Sequence, residues 1–265
     1  MRIVYLGNNW VGWQVLKWLR DQGEEVVALV VHPPERCKYG EEIIESAGLE
    51  AARIFYGSRL RCPDVIEAIR AVKPEIGISA LFGYILHREF LNSMPAGCIN
   101  IHPALLPYNR GAYPNVWSLV ERTPAGVTVH YMDEGVDTGD IIAQREVAVD
   151  PIDTGKSLYR KLEQNAVDLF KETWPLIRSG RAPRIAQKEG RGTSHSARDV
   201  QCIDEIDLDR SYPARELIDI IRARTFPPYP GVYFSQAGRK VYLRLQLLYE
   251  EQITGKKADG TNHRD

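Results

Sequence analysis

Short, wholly apolar runs separated by helix-length amphipathic segments restrict the fold of this 265-residue chain more than any other feature. Glu25–Val31 is the clearest run. After its first residue it shows no polar alternation, which is how a strand reads when both faces of its sheet are covered. Ile3–Leu6, Ile76–Ala80 and Cys98–Ile101 repeat the pattern. Between them, Trp10–Gln22 sets Val11, Val15, Trp18 and Leu19 on one helical face. Glu41–Ala47 and Pro63–Val72 read as further helices, Pro63 being suited to a first turn. Phe82–Asn92 reads as a loop running into a helix. This βαβα order predicts an α/β fold: a Rossmann-like, open, mostly parallel sheet with helices on both faces.

The second half is less regular. Thr154–Ile177 predicts a long helix with Leu158, Leu162, Leu169, Phe170 and Trp174 as its apolar stripe, Asp153 as N-cap and Gly180 as stop. From 181 to 198 the chain is basic and rich in Gly and Ser, and reads as loop. Glu216–Arg224 predicts a short helix, Thr225–Gly231 an aromatic turn, and Val232–Phe234 with Lys240–Leu247 a hairpin. The expected organisation is therefore a main domain over 1–180, a small C-terminal appendage over 181–253 and a disordered tail over 254–265.

Composition narrows the class. Hydrophobic content of 44% and charged content of 26% are ordinary for a globular chain with an adequate core. A net charge of −1 gives the whole chain no electrostatic footprint for nucleic acid or an anionic membrane. The first residues are too short and too soon interrupted for a signal peptide, and no stretch approaches the roughly 20 apolar residues that span a bilayer. Cys37, Cys62, Cys98 and Cys202 form no C-x-x-C pair and no zinc-site spacing, so free thiols in a reducing cytoplasm, and no metal, are expected. The first strand-to-helix turn, Gly7-Asn8-Asn9-Trp10-Val11-Gly12, lacks the middle glycine of a dinucleotide fingerprint, and the second strand ends in His32-Pro33-Pro34, without the ribose-binding acid. Those glycines read as serving a tight turn.

The chemistry concentrates in residues 100–140. Asn100 and His102 are two apart, so on a strand they share a face, and Pro103 ends regular pairing just beyond them. A strand-like run, Gly126–Met132, leads to Asp137-Thr138-Gly139-Asp140. An amide, an imidazole and a carboxylate can therefore meet at one strand end, as acyl transfer requires. Taken alone, Asn100 reads as a turn cap and His102 as a satisfied surface histidine; Asp137 and the intervening pattern shift the balance to catalysis. His130 reads as a packing residue and Asp140 as structural. His195 stays open between acceptor contact and loop, and Phe226, Tyr229, Tyr233 and Phe234 read as a small aromatic core.

The run Asn100–Pro107, followed by Arg110-Gly111-Ala112, Gly126-Val127-Thr128 and Asp137–Asp140, resembles the formyltetrahydrofolate-dependent formyltransferases. The similarity spans residues 1–180, is strongest over 76–144, and is closest to the nucleotide-sugar (amino-sugar) N-formyltransferases. It implies a catalytic triad of Asn100, His102 and Asp137. It implies N10-formyltetrahydrofolate as donor, held by a loop matching Phe82, Gly83, Tyr84, Ile85 and Leu86 and by Asp133, Glu134, Gly135 and Val136 leading to Asp137. The acceptor would lie near Pro103–Pro114. In this reading Asn100 and a protonated His102 donate to the oxyanion, while Asp137 orients His102 and takes the amine proton directly or through water.

The acceptor is a separate question. The tRNA enzymes of the family continue into a further barrel domain, whereas this chain stops soon after Leu248; the purine-pathway enzyme lacks a matching tail. The expectation is a nucleotide-linked amino sugar of a surface-polysaccharide pathway, an enzyme in the cytoplasm and a homodimer. From residue type, Trp10, Tyr108, Arg110 and Tyr113 are the acceptor-site candidates, with Arg191 and Arg198 as further phosphate contacts. The alternatives are a methionyl-tRNA formyltransferase-like enzyme without the tRNA-binding barrel and, in another class, a catalytically silent folate- or nucleotide-binding module. Which sugar, nucleotide and amine position are involved is not legible at this level.

Overall fold

The structure, a computed structural model, describes residues 1–188, 190 and 192–254. Arg191 and the expected tail beyond Thr254 lie outside the described residues. The first half alternates as the apolar runs require: β1 (Arg2–Gly7), α1 (Asn9–Asp21), β2 (Glu25–Val31), α2 (Gly40–Ala47), β3 (Ile54–Tyr56), α3 (Pro63–Ala71), β4 (Ile76–Ala80), α4 (Arg88–Leu91) and β5 (Cys98–His102). The chain continues through β6 (Arg110–Gly111), α5 (Pro114–Val120), β7 (Gly126–Tyr131), β8 (Ile141–Glu146) and α6 (Gly155–Arg178). It ends with β9 (Ser194–His195), α7 (Ala214–Arg224), the hairpin β10 (Val232–Gln236) and β11 (Arg239–Leu243), and α8 (Glu250–Thr254).

The main sheet has seven strands in the order β3-β2-β1-β4-β5-β7-β8. The first five are parallel; β7 pairs antiparallel with β5, and β8 antiparallel with β7. Pleating divides the core. Ile3 and Tyr5 face one side with Val15, Leu19 and Phe170 of α1 and α6. Val4 and Leu6 face the other with Val65 and Ile69 of α3 and Phe90 of α4. Helices thus cover both faces, as expected of a parallel sheet. One irregularity in the β1–β2 register, between Ile3 and Val4, shifts β2 by one residue, and Val26 then faces one core while Ala28 and Val30 face the other.

Helix α6 buries Leu158, Leu162, Leu169, Phe170 and Trp174 as the stripe predicts. Its N-cap is Thr154 and not Asp153. Thr154 is extended, accepts from Ser157 N at 3.3 Å and donates its own N–H to Ser157 Oγ at 2.9 Å, a capping box of about 1 kcal/mol. Asp153 is buried behind it and receives Ser157 Oγ and Lys161 Nζ.

β3, α5 and β8 have no clear sequence signature. β3 is only three residues long. Helix α5 is buried from Pro114 to Leu119, so it shows no amphipathic period. β8 is an edge strand with a half-polar face. The C-terminal part packs α7 and the hairpin around Ile206, Ile220 and Val232. Arg122–Asp219 at 2.7 Å ties it to the main part, and Arg224–Asp204 at 2.5 Å braces it internally. The aromatic residues there form two groups instead of one core: Phe226 contacts Tyr159 and Tyr229, and Tyr233 contacts Tyr242. Among the described residues no helix is long and apolar enough to cross a membrane.

Candidate active site

The carboxyl end of β5 builds the site. Asn100 and His102 project from one face, and the antiparallel neighbour β7 sets His130 opposite Asn100 and Thr128 opposite His102. The strand then leaves the sheet at Pro103. Buried Thr128 holds the departing turn, donating to Ala104 O at 2.7 Å and accepting from Leu106 N at 3.2 Å. Asp137 returns to this point from the loop after β7, in a left-handed backbone conformation with φ of 54°. A non-glycine residue holds that conformation only when its surroundings determine it.

Asn100, His102 and Asp137 meet. Asn100 Nδ2 lies 3.2 Å from Asp137 Oδ1 and 3.2 Å from His130 Nε2. His102 Nδ1 is 3.5 Å from Asp137 Oδ2, His130 Nε2 is 3.5 Å from Oδ1, and the backbone N–H of Gly111 donates to Oδ2 at 2.9 Å. Burial by itself raises the pKa of the Asp137 carboxyl. The facing charges of His102 and His130, with hydrogen bonds from His130 and the Gly111 N–H, overcome that and hold it well below the usual carboxylate range. The carboxylate is ionised at neutral pH.

Tautomers follow from the other ring contacts. A carbonyl oxygen only accepts, so His102 Nε2, 3.1 Å from Asn109 O, carries a hydrogen, as does His130 Nδ1, 2.8 Å from Tyr131 O. The nitrogen that His102 turns to Asp137 is therefore Nδ1. Asn100 Nδ2 faces both Asp137 Oδ1 and His130 Nε2.

The expected donor loop lies beside this network. His32 Nε2 binds the Phe82 carbonyl, and its ring sits edge-on to Phe82 and Tyr84. Leu81 and Gly83 both have positive φ, while buried Phe82 and Leu86 anchor the loop and leave Ile85 60% exposed. Among the described residues no hydrogen bond occupies the N–H groups of Gly83, Tyr84, Ile85 or Leu86. Across from it, Asp133, Glu134, Gly135 and Val136 are exposed, and Arg88–Glu134 at 2.5 Å joins the two loops. Free backbone donors beside exposed Ile85 and Val136 suit a flat ring with polar edges, so these residues fit a pterin.

The acceptor candidates are not gathered in the same way. Trp10 is half-buried against the main core at the start of α1. Tyr108 is half-buried in the turn before β6, and Tyr113, 45% exposed, occupies the N-cap position of α5 with φ of 56°. The Arg110 guanidinium is directed onto Gln187 Oε1. Of the first-turn asparagines, Asn8 accepts from Lys38 N and Asn9 donates to Tyr159 OH, so both side chains are used internally. His195 stacks on Trp117 with ring centroids 4.0 Å apart and lies 3.2 Å from Glu121, a packing position.

Sequence reasoning sets aside or passes over three residues. His130 reads as packing, although its alternation with Thr128 on a strand pairing with β5 is a usable signal. Asn109 is fully buried with φ of 56°. Its side chain donates to Ser118 Oγ and Thr123 Oγ1 and accepts from Thr193 Oγ1, which in turn accepts from Asn109 N. Asparagine tolerates the left-handed region, and that is its only trace in the sequence. Thr193 lies in the stretch that reads as loop, 84 residues from its partner, and has no local signal.

The chain belongs to the formyl transferase family, whose model matches residues 1–173, and it is a formyltransferase. Residues 199–249 match the N-formyltransferase dimerization C-terminal domain. The chain is 36% identical to a methionyl-tRNA formyltransferase of Carboxydothermus hydrogenoformans over 264 residues, covering 97% of this chain and 82% of that one. Its fold is similar to that of a 4-N formyltransferase from Francisella tularensis, with a TM-score of 0.78 at 31% identity, covering 94% of this chain and 98% of that one. A formyltransferase from Anoxybacillus kamchatkensis, in complex with UDP-4,6-dideoxy-4-formamido-L-AltNAc and tetrahydrofolate, matches with a TM-score of 0.57 at 32% identity, covering 76% and 89%.

Proposed function

We propose that the chain transfers a formyl group from N10-formyltetrahydrofolate to the amine of a nucleotide-linked amino sugar. The observation that carries the chemistry is the convergence of Asn100, His102 and an ionised Asp137 at the end of β5. When bound, the folate supplies an activated formyl carbon. The residues of the two loops, Phe82–Leu86 and Asp133–Val136, would hold it. His102 Nε2 is committed to Asn109 and Nδ1 faces Asp137 Oδ2, so a protonated Nδ1 must turn its hydrogen from the carboxylate to serve a carbonyl oxygen as negative charge develops there, worth about 3–4 kcal/mol. Asn100 fixes Oδ1 of Asp137, and its donation to that oxygen requires exchange of one of its two present partners. A carboxylate as acidic as Asp137 is a poor final proton acceptor at neutral pH. It is better suited to orienting and charging His102, with the amine proton relayed through water.

The sugar acceptor is supported by the nucleotide sugar in the Anoxybacillus complex. The C-terminal match supports a homodimer, for which β11, exposed at Val241 and Tyr242, offers surface. Four free cysteines accord with a reducing cytoplasm. The second reading, formylation of methionyl-tRNA, is favoured by the names of relatives at 30–36% identity. A turnover assay with N10-formyltetrahydrofolate separates the readings. The acceptor panel would contain methionyl-tRNA, dTDP-3-aminofucose and the UDP-linked 4-amino sugar that corresponds to the Anoxybacillus ligand. The sugar reading predicts turnover on a nucleotide sugar; turnover on methionyl-tRNA alone would overturn it, and turnover on none would favour the silent module.

A further inference from the structure

Residues 174–198 fall between the two segments that the family models match, yet this stretch reaches back to the catalytic cluster. Half-buried Gln187 makes the contact. Its Nε2 donates to Asp137 O at 2.8 Å and to Gly139 O at 2.8 Å. Its Oε1 accepts from Arg110 Nε at 3.2 Å and Nη2 at 2.6 Å. All four hydrogen-bonding capacities of one primary amide are filled, two by the loop that carries Asp137 and two by the residue preceding Gly111.

Both of those segments hold the carboxylate. Asp137 is strained at φ of 54°, so it stays in place only while its flanking carbonyls are fixed. Gly111 N donates to Asp137 Oδ2, and Gly111 is itself pinned between β9 and the site. It has φ of 86°, and a Cβ there would come within 2.3 Å of His195 O. The pairing of β6 with β9, with Ala112 N donating to His195 O at 2.8 Å, closes the same ring of chain.

We propose that Gln187 is a positioning residue for Asp137, joining the Asp137–Gly139 backbone to the Arg110–Gly111 strand so that the carboxylate faces His102. This rests on the reading of Asp137 as catalytic. Only glutamine of the common side chains offers two donors and an acceptor at this reach. A methionine side chain at this position would match its volume while removing every hydrogen bond, so Gln187→Met isolates the polar contribution.

The test combines turnover with amide hydrogen exchange on the full chain. Turnover uses N10-formyltetrahydrofolate and whichever of dTDP-3-aminofucose, the UDP-linked 4-amino sugar or methionyl-tRNA reacts fastest. Gln187→Met should lower kcat by about 10- to 100-fold while the KM for the folate moves less than about threefold, the pattern of misplaced catalytic geometry. Exchange at Gly111, whose N–H is bonded to Asp137, should rise by about tenfold or more, with core strands unchanged. In an Asp137→Ala background, Gln187→Met should add no further loss, because residues acting as one unit are not additive. Unchanged kcat with unchanged Gly111 exchange, a pure KM effect, or a full additional loss in the double variant would each overturn the proposal. If Asp137→Ala remains active, or no acceptor reacts, the catalytic reading fails, and Gly111 exchange alone decides whether Gln187 holds the loop.

Discussion

Nε2 of His102 donates to the carbonyl oxygen of Asn109 across 3.1 Å, and that single contact decides which ring nitrogen faces Asp137. The histidine is thereby placed by a buried residue with no part in the reaction. Asn109 is in turn held by Ser118, Thr123 and Thr193. The site is a chain of supports in which each polar group is fixed by another.

Asn109→Ala should therefore destabilise the fold by about 2–3 kcal/mol, because it leaves the buried Ser118 hydroxyl and two half-buried threonine hydroxyls without their amide partner and puts alanine in a left-handed conformation. Equilibrium urea unfolding checks this. A loss below about 0.5 kcal/mol, the range of a plain surface change, would contradict the role given to the buried amide.

Replacing Asn100, His102 or Asp137 by alanine should lower kcat by about 100-fold or more, the scale of losing a preorganised donor or its orienting group. Circular dichroism spectra should stay as in the parent. Near-normal turnover in any one purified variant would remove that residue from the mechanism.

The pH dependence of stability has a definite sign. The Asp137 carboxyl titrates near 3.8 when unperturbed and lower in the folded protein, so its ionised form stabilises the fold above pH 4. That contribution is lost as pH falls through the folded-state value. The stability difference between the parent and Asp137→Asn should shrink as pH falls below 4. A difference that grows on acidification would mean the carboxylate is not held by His102, His130 and Gly111.

Thiol reactivity should be graded by burial. Desolvation pushes the Cys98 thiol up to about 12, whereas Cys202 is exposed. A chromogenic disulfide should label Cys202 first in the native protein and Cys98 only after unfolding. Fast native labelling of Cys98, followed by peptide mass mapping, would argue that β5 opens locally.

Much of the architecture was legible because its signals are local. The apolar runs of β1, β2, β4 and β5 state their own burial, and the stripe of α6 states its buried face. Asn100 and His102 could be paired because a strand has period two, and Asp137 followed once the motif order was read. Helix α5 escaped because full burial erases amphipathicity, and β3 because three residues carry no period. Thr154 displaced Asp153 as the cap because its extended backbone puts its hydroxyl on Ser157 N, a detail of one dihedral pair.

What the sequence determined by itself is the alternating α/β order and the three chemical groups of the site, since periodicity and motif spacing act over a few residues. Only the tertiary structure decided how those groups are held. It turned Nδ1 of His102 to Asp137, brought His130 from packing to contact, and returned Gln187 and Thr193 from a featureless segment to the loops of the site. Such contacts join residues 50 and 84 positions apart. They depend on how two loops close in space, and hydrogen-bonding geometry of that kind leaves no period for a sequence to display.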